Sequence, residues 1–155
     1  MKRLSWVLFA FFAILVGIFP FIFYALNIPF GITNIKAAKV LSDLFWKIGF
    51  HTHIIFAAIA LLIGWLQFIS KFRNRNIKLH RTIGKIYIVA VLTSAIASLF
   101  VSFYANGGIS AFLGLFIGSI VWFTTTAMSY YYVRNKKIEL HKKMMIYSYA
   151  TTFGG

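Results

Sequence analysis

Four long apolar runs, each bounded by polar or basic segments, restrict this chain more than any other feature. They lie at about Leu4–Leu26, Phe50–Ser70, Ile83–Tyr104 and Ile109–Val133. A helix needs about 20 apolar residues to cross a bilayer, and each run meets that length. A fifth run, Met144–Gly155, has 12 residues. As a helix it would be about 18 Å long, against an apolar bilayer core about 30 Å thick. It reads as the start of a fifth helix in a chain that continues beyond Gly155. The expected fold class is all-α: a polytopic transmembrane helix bundle with four full spanning helices plus the start of a fifth. Residues 1–155 form a single integral membrane domain. The 61% hydrophobic content agrees, since a soluble domain holds about 45–50% apolar residues.

The first run follows Met-Lys-Arg, as in a signal peptide. It is longer than a signal h-region of about 7–15 residues and lacks an Ala-x-Ala-type cleavage site. It is therefore expected to be retained, with a kink at Pro20. Between the first two runs, residues 32–49 (ITNIKAAKVLSDLFWKIG) predict one short interfacial helix capped by Thr33 or Asn34. Ala37, Leu41, Leu44, Phe45 and Ile48 would share its apolar face, with Lys36, Lys39, Asp43 and Lys47 opposite.

The net charge is +14, with Asp43 and Glu139 the two acids. Such a charge on a soluble protein would suggest nucleic acid. Here the cations sit between the apolar runs, so they point to topology and anionic lipid headgroups, and no nucleic-acid partner is expected. Thirteen cations fall at the N-terminus and in the segments 71–85 and 134–143, against three in the alternate connections. The positive-inside rule then places the N-terminus and both basic segments in the cytoplasm. No cysteine is present, which removes disulfides and thiolate chemistry.

Small residues at intervals of four let helices approach closely in lipid. The third run has Ala90, Ser94, Ser98 and Ser102, and the fourth has Ser110, Gly114 and Gly118. These two stripes are predicted to face one another across the Ala-Asn-Gly-Gly turn. In the second run His53, Ala57, Ala60, Gly64 and Gln67 share a face, and Gln67 should turn toward the bundle. Thr124, Thr125 and Thr126 are expected to bond back to their own helix.

No acid lies inside a predicted span, so carboxylate relays, ion sites and paired-carboxylate hydrolysis lack their groups. There is no Gly-x-Ser-x-Gly elbow and no phosphate-binding glycine loop. Histidine remains. IKLHRTIGKIY (77–87) is echoed by IELHKKMMIY (138–147), which places His80 and His141 in one leaflet. Two readings stay open. In one, Leu-His-cation marks a helix start at the interface. In the other, His80 and His141 clamp one b-type haem, with Arg81, Lys85 and Lys142 near the propionates and Gly84 giving the macrocycle close approach. His51 and His53 diverge by about 200° on a helix, so they do not share a metal.

The ordered set of His53, Gly64, Gln67, Arg75, His80-Arg81, Gly84 and Tyr87, a Gly-Gly turn, then His141, Met145 and Tyr149 resembles a family of bacterial membrane proteins, domain of unknown function 2306. The likeness covers about residues 50–155. The His-Arg-x-x-Gly-x-x-Tyr element, His80 to Tyr87, is its most specific part. The second element here lacks the tryptophan and the arginine usual in relatives. The resemblance implies further helical sequence and no activity. The chain is expected in the bacterial cytoplasmic (inner) membrane, with His53, Gln67 and Tyr87 as structural polar residues. The expected function is a non-enzymatic helix-bundle subunit or scaffold without a cofactor, in contact with lipid and other membrane subunits; the alternative is a haem b electron-transfer protein.

Overall fold

A computed structural model describes residues 3–154, and all helices below lie within that range. Lys2 and Gly155, used above for topology and for the last run, lie outside it. Helix α1 is Arg3–Ala25 and contains Pro20. A 3-10 turn, Gly31–Ile35, leads to the five-residue α2, Ala38–Ser42. Helix α3, Leu44–Gly64, runs on through a 3-10 turn, Trp65–Phe68. The short α4 is Ser70–Arg75, followed by α5, Ile77–Ser102, α6, Gly108–Arg134, and α7, Ile138–Gly154.

Four segments are long and apolar enough to cross a membrane: Leu4–Ala25, Leu44–Phe68, Ile77–Ser102 and Gly108–Arg134. No strand occurs among the described residues. The all-α class and the four spans of the sequence reading are therefore present. The 17 residues of α7 reach about 26 Å.

Helix starts differ from expectation, and caps explain why. The single interfacial helix over 32–49 does not form. Asp43 is extended, with φ −68° and ψ 118°, and its side chain accepts from the Trp46 N–H at 3.0 Å. That is an N-cap, so a new helix starts at Leu44 in its own direction. Leu44, Phe45 and Ile48 thereby belong to the spanning α3, and the chain before it is a 3-10 turn and a short helix. Thr33 caps no α-helix; its hydroxyl donates to the Phe30 carbonyl at 2.7 Å. In the same way Asn76 accepts from the Leu79 N–H at 3.0 Å. Helix α5 therefore begins six residues before the apolar run, and His80, Arg81 and Lys85 are helical. The turn between α5 and α6 uses its glycines: Gly107 and Gly108 have φ of +113° and +70°, values that favour residues without a Cβ.

Helix α3 packs on α1 and α5, α5 on α6, and α6 on α7, with α7 also touching α3. Phe9 of α1 stacks on Phe153 and meets Tyr149 edge-on, which closes the bundle around α7. The core joins Ala60, Leu61, Tyr87, Ala90, Val91, Trp122, Met145 and Tyr149. Large apolar side chains elsewhere, such as Phe11, Val89, Ile117 and Leu113, point outward, as lipid-facing helices require.

The α5 stripe of Ala90, Ser94, Ser98 and Ser102 is buried, as predicted. Its predicted partner is not. Ser110 and Gly114 are exposed, and a Cβ on Gly114 or Gly118 would meet nothing within 4 Å. Helix α6 is rolled by about one residue. It buries Ser119, Trp122, Thr126 and Ser129 instead, one face by helical spacing. That face carries hydroxyl and indole groups, which need partners away from lipid. The glycine face needs none.

Candidate functional site

The buried polar groups of the bundle meet where α5, α6 and α7 converge. The Tyr87 hydroxyl lies 2.8 Å from Ser148 Oγ and 3.0 Å from Thr152 Oγ1. Ser148 Oγ is 2.6 Å from Thr126 Oγ1, which also donates to the Trp122 carbonyl. The Trp122 indole N–H donates to Thr152 Oγ1 at 2.8 Å. Tyr149 donates to the Leu61 carbonyl on α3 at 2.9 Å. Tyr87, Thr126 and Ser148 are fully buried, so each polar atom there must find a partner inside the protein. Gly64 makes the arrangement possible. A Cβ on it would meet the Tyr149 ring and lie 2.8 Å from Tyr87 Cε2.

Nearer the connections at 26–43 and 103–107, His53 Nδ1 sits 3.0 Å from the Ser94 hydroxyl and 3.2 Å from the Ser94 carbonyl. The Ser94 hydroxyl donates to the His53 carbonyl at 2.8 Å. His51 Nδ1 bonds the Tyr24 hydroxyl of α1. The two histidines thus serve different helices, as their spacing requires. Lys36 is buried and donates to the Tyr104 carbonyl and, at 2.9 Å, to Asn106 Oδ1. Asn106 in turn donates to the Ile35 carbonyl at 2.8 Å. This latch ties the first connection to the α5–α6 turn. Burial lowers the Lys36 pKa below the usual lysine value.

At the basic end, His141 Nδ1 donates to the Ser129 carbonyl at 2.9 Å. His80 lies within electrostatic reach of Arg73, Arg81 and His141. Its Nδ1 is buried and, like Gln67 Nε2, has no hydrogen-bond partner among the described residues. Gln67 turns into the bundle as expected. Its Oε1 would lie 3.3 Å from a Cβ on Gly84. Gln67 therefore lies beside Gly84, on the side where the haem expectation put the macrocycle. Arg81 is exposed.

Among the described residues no three of His, Cys, Asp and Glu converge on a possible metal position. The sequence reading singled out Tyr87 and His53 and missed Trp122, Ser148 and Thr152. Ser148 and Thr152 stand four apart, alongside Met145 and Tyr149. That stripe becomes visible once the helix is begun at Ile138, where the chain turns, rather than at the first apolar residue.

Residues 50–155 match the family described as Predicted membrane protein (DUF2306). No curated protein matches the chain, and no solved structure does.

Proposed function

The chain belongs to the DUF2306 family of predicted membrane proteins, and from that premise we propose that it is a non-catalytic helix-bundle subunit or scaffold of the bacterial inner membrane. One observation carries the reading. The hydroxyls and the indole at the centre of the bundle are committed to one another across α5, α6 and α7. Polar groups used in this way hold helices together in lipid. The cation distribution supports an N-terminus and basic segments on the cytoplasmic side.

The natural absence of cysteine makes the orientation simple to test. With single cysteines placed at Asn106 and at Lys136, an impermeant maleimide is expected to label Asn106→Cys on intact cells and Lys136→Cys only once the membrane is opened. Labelling of Lys136→Cys from outside overturns the orientation. The subunit role predicts that the extracted protein migrates within an assembly larger than the bundle. Migration as a lone chain in several mild detergents overturns it.

A second reading, one b-type haem held by His80 and His141, has a specific point in its favour. The Nδ1–H of His141 is anchored on a carbonyl, as in histidines that ligate metals through Nε2. Against it, Gln67 lies beside Gly84 on the side the macrocycle would use and would have to move aside, so this reading ranks second. Protein purified from haem-replete cells would show a Soret band that His141→Ala removes. A colourless folded protein ends the idea.

A further inference from the structure

We propose that the elbow between α4 and α5 binds the phosphate headgroup of an anionic phospholipid. The elbow forms at Asn76, whose backbone, φ −147° and ψ 85°, breaks the helix between Arg75 and Ile77. Beside it lies an open surface pocket of about 330 Å³ lined by Phe72, Arg75, Asn76 and Leu79. The lining has two characters. Arg75 and Asn76 are polar, and the Asn76 Oδ1 is already used to cap Leu79, which leaves the amide nitrogen to donate. Phe72 and Leu79 form an apolar wall.

The charge around the elbow has no counterpart in the protein. Residues 70–86 hold Lys71, Arg73, Arg75, Lys78, Arg81 and Lys85 and no acid. Among the described residues, the ion pair present is Lys142–Glu139, on α7. Arg75 is thus free to pair with an anion from outside the chain. A soluble phosphate would satisfy Arg75 and leave Phe72 and Leu79 against water. A zwitterionic lipid would cover the apolar wall and bring no net negative charge. An anionic phospholipid does both: its phosphate meets the guanidinium, and the start of its acyl chains lies along Phe72 and Leu79. The site rests on the orientation proposed above, since the cytoplasmic leaflet is the more anionic one.

The test uses the full chain in nanodiscs of equal phosphatidylglycerol and phosphatidylcholine, with retained lipid counted by native mass spectrometry. The wild type is expected to retain phosphatidylglycerol preferentially. Arg75→Gln should lower that preference by clearly more than about fivefold, the general worth of one basic residue near an anionic surface, because it also loses the direct phosphate contact. Arg134→Gln, the same charge change at the end of α6, should cost no more than that general about fivefold. Leu79→Gln should also lower it, with no change in net charge. Both arginines and Leu79 are exposed, so the variants keep the fold. Equal losses for the two arginine variants would overturn the elbow and leave the orientation standing. No preference in the wild type overturns the elbow as well, and cysteine labelling decides separately whether the orientation survives. Displacement of the lipid by inorganic phosphate assigns the pocket to a soluble anion and also overturns the proposal.

Discussion

Gly64 and Gly114 are both glycines in spanning helices, and they should respond oppositely to the same change. Gly64→Ala pushes a methyl into the Tyr149 and Tyr87 rings. Overpacking of that kind costs about 1–3 kcal/mol, so the thermal midpoint in detergent should fall. Gly114→Ala meets nothing. It should be neutral or raise the midpoint, because alanine favours helix by up to about 1 kcal/mol. Tyr87→Phe removes one hydroxyl from a shared network. Ser148 keeps Thr126, and Thr152 keeps Trp122, so the loss should be modest, about 0.6 kcal/mol and not above about 1.7. Gln67→Leu removes a buried amide nitrogen that has no hydrogen-bond partner among the described residues. Leaving such a group unsatisfied costs about 1–3 kcal/mol, so this variant should melt higher. A lower midpoint would mean that the amide binds something beyond the chain.

Helix starts were the least legible part of the sequence, because hydropathy and helicity stop at different places. Helix α5 has 26 residues, about 39 Å, against a bilayer core of about 30 Å. Its first turns stand clear of the apolar layer, where Lys78 and Arg81 are tolerated. A hydropathy reading ends where the lipid ends; the helix ends at its cap. Asp43 shows the same thing. It was grouped with lysines on a polar face, yet its role is to cap α3. Asp43→Ala should destabilise the bundle by about 1 kcal/mol, mainly through the first turn of α3. Amide exchange over Phe45–Lys47 should quicken while exchange within α5 stays unchanged. Equal quickening in both helices would show that the cap acts on the whole bundle.

At the scale of the molecule, α7 is the helix on which the interior closes. It supplies Ser148, Tyr149 and Thr152, the partners of Tyr87, Trp122, Thr126 and the Leu61 carbonyl. A chain ended at Lys137 would leave the Tyr87 hydroxyl and the Trp122 indole without those partners in an apolar interior, while Thr126 keeps the Trp122 carbonyl. Each orphan costs about 1–3 kcal/mol, a sizeable share of the stability of an ordinary domain. Such a chain is expected to aggregate on mild extraction where the full chain stays monodisperse.

The sequence by itself determined the number and order of the long helices, since apolar length against bilayer thickness leaves few alternatives. It also determined the α5 small-residue stripe and the inward turn of Gln67, because a polar amide in a spanning helix has nowhere else to go. Only the tertiary structure decided which face of α6 meets α5. Both faces have small residues at helical spacing, and the choice depended on hydrogen-bond partners that α7 brings from far along the chain. The two histidine elements, 77–87 and 138–147, divide the same way. Their shared end of the bundle follows from topology. That His141 is anchored on Ser129, while Gln67 lies beside Gly84, was settled by packing.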